Sequence, residues 1–492
     1  MTSPVLLRVH EVDIREWPYK LRMPFRFGGT TKTHGAQVVV RARVSIGDGP
    51  STWGCAAESL SAKWFDKNPA LSDEANHDQL RLSIEMASSA YKAHGPDTAF
   101  GYAEKLYDDL MAQSAAQMLS PLIGAYGAAL LDRCLIDALG RLTKLSFWTL
   151  MQRNTVGMRA ASWAPDLGTG FDAGQFLAGL TPLRALQVRH TVGLVDPITA
   201  QDQAAGSAVA DGLPETLEEV VSRYQHRYYK VKIGGQPAVD LARLEAIAAV
   251  LDTLAHPYHV TLDGNEQFES VEPVVALLRT MSEAPCLRRF CESMLWIEQP
   301  LARHVALSES VRSIDALHPV IIDESDADFG CFPRAIELGY RGVSSKICKG
   351  LYKSLFNLAR CDARYADVAA GRLFMSAEDL TTLPGISLQQ DLALVALLGL
   401  EHVEKNAHHF VDGMRHRPKG EQRAFVQAHP DLYRFESLPN GEQVARMVLH
   451  EGGVRISSLD CPGFASLAEP DWSSLPPAPV SRWHEHMKNV TA

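Results

Sequence analysis

Residues 5 to 60 alternate between apolar and polar positions, through LLRVHEVDIREW, the turn-rich FRFGGTTKTHG, and AQVVVRARVSIGDG with its Gly-Asp-Gly turn. A period of two belongs to strands, so this stretch predicts antiparallel sheet. From 72 to 150 the rhythm changes, and SPLIGAYGAALLDRCLIDALGRLTKLSFWTLM repeats its apolar residues every three or four positions, as helices do. Strands followed by helices predict an α+β domain over residues 1–150, to which part of the C-terminus returns.

A weakly patterned stretch rich in Gly, Ala and Pro occupies 152–184. Beyond it, short apolar runs alternate with helical segments. RALQVRHTVGLVDPI reads as a strand and PETLEEVVSRYQHR as its helix; HRYYKVKIGG, YHVTLDGNEQF, MLWIEQPL, HPVIIDESDADF and YRGVSSKICKG continue the series. The intervening helices are PAVDLARLEAIAAVLDTLA, EPVVALLRTMS and FPRAIELG, with SLFNLARCDARYADVA after the last run, and RLFMSAEDL and EHVEKNAHHF supply two further strand ends. One strand and one helix per step predict a parallel β/α barrel over 185–415. Residues 416–492, with strand signals in QVARMVLH and VRISSL, form an extension expected to pack on the first domain or the barrel.

The composition, 46% hydrophobic and 22% charged, is that of an ordinary globular protein. A formal charge of -10 excludes nucleic acid and anionic membrane surfaces as principal partners. The eight cysteines form no CxxC pair, which predicts reduced thiols. With no leader pattern and no uninterrupted apolar run of about 18 residues, a cytoplasmic location is expected.

The chemistry lies where the apolar runs end. Lys232, Asp263, Glu298, Asp323 and Lys346 follow one another at steps of 31, 35, 25 and 23 residues, about one strand-plus-helix unit each. Taken singly, each acid could cap a helix. Three at successive strand ends form a set of hard oxygen ligands suited to Mg²⁺. Lys230 and Lys232 share one strand face, because side chains alternate along a strand. Their mutual repulsion, with a divalent cation nearby, is expected to lower their pKa values toward that of a neutral base. Lys346 is expected to face the same space from the opposite side, an arrangement of two bases flanking one carbon. Lys349 reads as a structural or surface charge, and His408 and His409 as surface residues.

Together KVK (Lys230 to Lys232), LDGNEQF, WIEQPL, IIDES and SSKICKG resemble the enolase superfamily, and within it the muconate-lactonizing-enzyme subgroup of mandelate racemase/muconate lactonizing enzyme-like proteins. The resemblance covers residues 5–60, 118–150 and 185–410. It implies a modified TIM barrel, (β/α)7β, under an N-terminal α+β capping domain whose loop around Phe25 to His34 closes the mouth. It further implies that Asp263, Glu298 and Asp323 ligate Mg²⁺, with Mn²⁺ as an alternative. Lys232 and Lys346 become the bases on the two faces, Lys230 an electrostatic neighbour, and Asn265 and Glu324 supports for the ligands. The implied substrate is a small-molecule carboxylate that loses its α proton to give an enediolate, and the implied assembly is a homo-oligomer, a dimer or octamer.

This chain departs from the pattern in apparent insertions at 63–97 and 152–184, in its C-terminal extension, and in Gly350-Leu351 where two glycines are usual. Its seventh strand end carries Ser376, Glu378 and Asp379 and no histidine. Racemisation or epimerisation between Lys232 and Lys346 is the leading expectation. β-Elimination (a dehydratase) and cycloisomerisation at the same site are alternatives, and a non-catalytic scaffold of the same fold is a remote one.

Overall fold

The computed structural model describes residues 4–160, 163–203, 206, 208–362 and 372–490. Strands β1 (Leu7–Phe27), β2 (Thr30–Ile46) and β3 (Ser51–Leu60) form an antiparallel sheet in that order. Helices α1 (Asp73–Ala93), α2 (Ala99–Ala116) and α3 (Pro121–Thr143) follow, each started by a hydroxyl, from Ser72, Thr98 and Ser120, that accepts a first-turn N–H. The valines at 38–40 and the apolar stripe of α3 are buried together. A Cβ at Gly54 would lie 2.0 Å from the Cys134 carbonyl oxygen, so the glycine lets α3 cross the sheet at backbone contact.

The strands β4 (Ala185–Val192), β5 (Tyr228–Lys232), β6 (His259–Asp263), β7 (Met294–Glu298), β8 (Val320–Ile322), β9 (Gly342–Ser345), β10 (Phe374–Ala377) and β11 (His402–Glu404) run parallel in sequence order. β11 pairs back with β4, which closes a barrel. Helices Leu217–Tyr224, Pro237–Leu251, Val271–Glu283, Cys331–Leu338, Leu351–Cys361 and Ile386–Leu397 cover the outside. Two four-residue helices, Arg303–Ala306 and Arg312–Asp315, stand between β7 and β8 in place of a single longer one. The helix predicted over 354–369 is formed up to Cys361, and its residues from 363 onward lie outside the described residues. This is the expected (β/α)7β barrel beside an α+β domain.

The extension builds a hairpin of β12 (Tyr433–Ser437) and β13 (Gln443–Met447), then β14 (Gly453–Arg455), which pairs antiparallel with the start of β4. The chain then returns to the first domain, where Trp483 Nε1 donates to the Gln117 carbonyl at 2.9 Å and His486 meets Asp78 at 2.8 Å. The eight cysteines are all free thiols. No helix of the described residues is long and apolar enough to cross a membrane.

Candidate active site

Five of the expected site residues stand at, or one residue past, the C-terminal end of a barrel strand. Lys232 ends β5, Asp263 ends β6 and Glu298 ends β7, while Asp323 and Lys346 follow β8 and β9 directly. In the closed ring β5 is second and β9 sixth of eight, so Lys232 and Lys346 come from opposite sides. Alternation sends Lys230 and Lys232 inward and buries Val231 on the other face.

Lys232 Nζ lies 2.6 Å from Asp263 Oδ2, and Lys346 Nζ lies 2.5 Å from Asp323 Oδ2. Lys230 sits deeper, within 2.7 to 3.0 Å of Asp263, Glu298, Glu378 and Glu404. Asn265 donates its backbone N–H to Asp263 and its side-chain amide to Glu324 Oε1 at 3.1 Å. Asn265, Glu266 and Gln299 adopt φ of 40°, 69° and 34° at the ends of β6 and β7. Left-handed backbone is costly for such residues and concentrates at functional sites.

The two lysines line one small cavity with Phe25, Phe27, Lys32, Ser61 and Trp64 of the first domain. The wall expected as a loop around Phe25 to His34 is a β-hairpin, in which Phe25 pairs with Lys32 and Phe27 with Thr30. Its tip is docked on the barrel: a Cβ at Gly28 would stand 2.7 Å from Gln267 Nε2, and Arg26 accepts the Leu194 N–H. The apparent insertion after residue 62 also builds the mouth. Lys67 Nζ meets Glu266 at 2.5 Å and donates to the Asn265 carbonyl at 2.7 Å, while Arg303 holds the carbonyls of Trp64 and Phe65.

Electrostatics decide whether this donor set fits a metal ion. Burial raises the Glu298 carboxyl well above its usual range, and Asp263 and Glu378 push it the same way. Neither Glu298 oxygen has an aligned hydrogen bond, although Lys230 lies within ion-pair distance. Burial also opposes ionisation of Asp263, yet Lys230 and Lys232 outweigh it and hold that carboxyl low; Lys346 and Lys349 do the same for Asp323. Three carboxylates at successive strand ends, one of them short of positive charge, are hard oxygen donors of the kind that suits a divalent cation, although their oxygens are not drawn together around one point and lysines stand between them.

The lysine expectation is corrected here. For Lys230, burial lowers the pKa but Asp263, Glu298, Glu378 and Glu404 outweigh it and raise it, against the expectation; Lys346, for which no direction was expected, is raised chiefly by Asp323 against the same burial. The repulsion argument counted ammonium groups and left out the acids around them. Lys349, read as a structural or surface charge, is the structural one: it is buried, 3.1 Å from Asp326 and 3.4 Å from Asp323. One further reading is corrected: His408 and His409 are buried, not surface residues.

Glu378 and Glu404, the partners of Lys230, were missed as functional groups, although each ends or follows an apolar run just as Asp263 and Glu298 do. Trp64 and Lys67 carry no such local signal, since only tertiary packing brings them to the mouth.

By sequence the chain matches no family model and no curated protein. By structure it is similar to muconate lactonizing enzyme from Pseudomonas fluorescens complexed with muconolactone, at 18% identity and a TM-score of 0.57 over 95% of this chain and 97% of that one. Dipeptide epimerase from Cytophaga hutchinsonii, complexed with Mg and D-Ala-L-Val, gives 15% and 0.58 over 95% and 98%. An enolase from Bradyrhizobium, complexed with magnesium and mandelic acid, gives 15% and 0.57 over 96% and 98%. These likenesses establish the fold.

Proposed function

We propose that the protein is an enolase-type enzyme that racemises or epimerises a small carboxylate substrate by moving the proton α to the carboxylate. The observation that carries this reading is the placement of Lys232 and Lys346, from opposite strands, on one cavity, each paired with a carboxylate at a barrel strand end. Asp263, Glu298 and Asp323 would hold Mg²⁺ or Mn²⁺, which when bound supplies Lewis-acid stabilisation of the negative charge that develops on the substrate. The mandelic acid and dipeptide bound by two similar structures are carboxylates, which supports the substrate class.

Lys346 is the proton donor in one direction. Its ammonium is stabilised by Asp323 and lies 4.3 Å from the centre of the Trp64 ring. Lys232 takes the α proton from the other face, leaving an enediolate that Lys346 reprotonates with inversion. The reverse substrate configuration exchanges the two roles. Lys230 stays charged and balances Glu378 and Glu404 below the reacting carbon. The cavity measures about 30 Å³, the scale of a single water, so the β1–β2 hairpin must lift for entry and its return excludes solvent.

The test is incubation of N-acyl amino acids, dipeptides and acid sugars with Mg²⁺ in D₂O, read by NMR. Deuterium at the α carbon of inverted product is expected, with losses of about 10²-fold or more in Lys232→Ala and Lys346→Ala. Loss of water or ring formation would instead assign elimination or cycloisomerisation to the same site. Absence of α exchange from every carboxylate tried, in protein shown to bind Mg²⁺, would overturn the reading.

A further inference from the structure

On the outer face of the barrel, His190, His226 and His408 each bring one ring nitrogen within 4.8 Å of the other two. All three are buried. His190 lies on β4 and faces outward, since its neighbours Arg189 and Thr191 turn inward to Glu378 and Glu404. His226 precedes β5, and His408 lies in the short helix Ala407–Phe410 after β11. The cluster therefore joins the first, second and last strands of the barrel where β4 and β11 pair to close it.

The hydrogen bonds fix the chemistry. His226 Nδ1 donates to the Val188 carbonyl at 3.1 Å and the Gly452 carbonyl also stands against the ring, while Nε2 is buried with no aligned hydrogen bond and, with Nδ1 protonated, carries the lone pair. A histidine anchored through one nitrogen and open at the other has the form of a metal ligand. His190 Nδ1 and His408 Nε2 are 3.4 Å apart, a long contact for a hydrogen bond. Two nitrogens held tetrahedrally at about 2.0–2.1 Å from one ion stand about 3.3 Å apart. His408 Nδ1 is also buried and unpartnered. Burial pushes His226 down to about 4 and lowers His190 and His408, which keeps all three rings neutral and able to coordinate.

We propose that His190, His226 and His408 form a second metal site, separate from the carboxylate trio, that takes a borderline transition-metal ion, Zn²⁺ in the first place. Three neutral nitrogen donors favour Zn²⁺ over Mg²⁺, whereas the oxygen donors at the mouth favour Mg²⁺, so the two sites sort their ions. His408 also lines a cavity of about 190 Å³ beneath the C-terminal hairpin, beside Tyr224 and Arg446. The cavity reaches the cluster through His408 alone among the three histidines. The ion would staple the barrel seam.

The experiment uses untagged full-length protein, stripped with chelator and kept in saturating Mg²⁺ so that the mouth is filled. Titration with Co²⁺ is expected to give one equivalent of bound ion with the visible absorption of tetrahedral nitrogen ligation, displaced by Zn²⁺ and not by Mg²⁺. Zn²⁺ should raise the melting temperature. His226→Ala and His408→Ala should each weaken binding more than tenfold. The wild-type titration decides even where a variant does not fold: no such absorption under Mg²⁺ overturns the proposal. Binding that survives both histidine changes but is lost in Glu298→Gln overturns it as well, since the ion would then sit at the mouth.

Discussion

The Lys346 ammonium stands 4.3 Å from the centre of the Trp64 ring, so a side chain of the N-terminal domain stabilises the charge of a barrel lysine directly. A desolvated contact of this kind contributes about 1–2 kcal/mol. Trp64→Leu keeps the apolar wall and removes the ring, and should lower kcat about tenfold while moving the Lys346 limb of the pH–rate profile to lower pH. An unchanged profile would show that the ring acts only as a wall.

Lys230 is the charge on which four acids depend. Lys230→Met leaves Asp263, Glu298, Glu378 and Glu404 buried around an apolar side chain. Breaking a buried ion network from one side costs about 3–5 kcal/mol. Urea melts should show that loss without Mg²⁺ and recover part of it with Mg²⁺, because the added cation replaces some of the missing charge.

Glu298 points the other way. Burial, and after it repulsion by Asp263 and Glu378, opposes its ionisation, so Glu298→Gln should make the metal-free protein more stable, increasingly so as rising pH forces the carboxyl to ionise. The same change should remove most of the stabilisation by Mg²⁺, which for wild type is about 2.7 kcal/mol at a hundred times Kd. Thermal melts with and without Mg²⁺ read both effects, and a variant weaker than wild type without metal would refute the repulsion argument.

Glu58, buried against Arg133 at 3.2 Å, couples stability to pH. Burial raises its carboxyl from 4.5 to about 7, against the opposing pull of Arg133. The folded state therefore holds this proton more tightly than the unfolded state does. Between about pH 4.5 and 7 its contribution to stability should fall as pH rises, by a total on the order of 3 kcal/mol. The difference between wild-type and Glu58→Gln unfolding curves across that range isolates the effect, and a difference independent of pH would exclude it.

The hairpin tip can be tested at Gly28, where φ is +51° and a Cβ would meet the Gln267 amide. Gly28→Val should strain the closed form and raise KM several-fold with a smaller change in melting temperature. Equal losses in both would mean that the tip matters for folding rather than for closure.

The strand ends were legible because a charged residue terminating an apolar run is a local pattern, and the repeat spacing set Lys232, Asp263, Glu298, Asp323 and Lys346 in one series. Glu378 and Glu404 share that pattern, but their role rests on reaching Lys230 across the barrel interior. His408 and His409 look solvated in their own segment and are buried by residues remote in sequence, both against His190 and His408 against Tyr224 and His226 as well. The pKa direction expected for Lys230 is reversed for the same reason: a charge is set by every neighbour, and most of these neighbours are remote in sequence.

Alternation and spacing along the chain were enough to determine a strand-and-helix barrel, an α+β domain before it, and which side chains face inward, because each depends on a repeat of a few residues. Tertiary structure alone decided that Trp64 and Lys67 wall the mouth, that Lys230 serves four acids, and that three histidines meet at the barrel seam. Those outcomes depend on contacts between residues far apart in the chain, whose geometry and low-dielectric surroundings exist only once the whole molecule has closed.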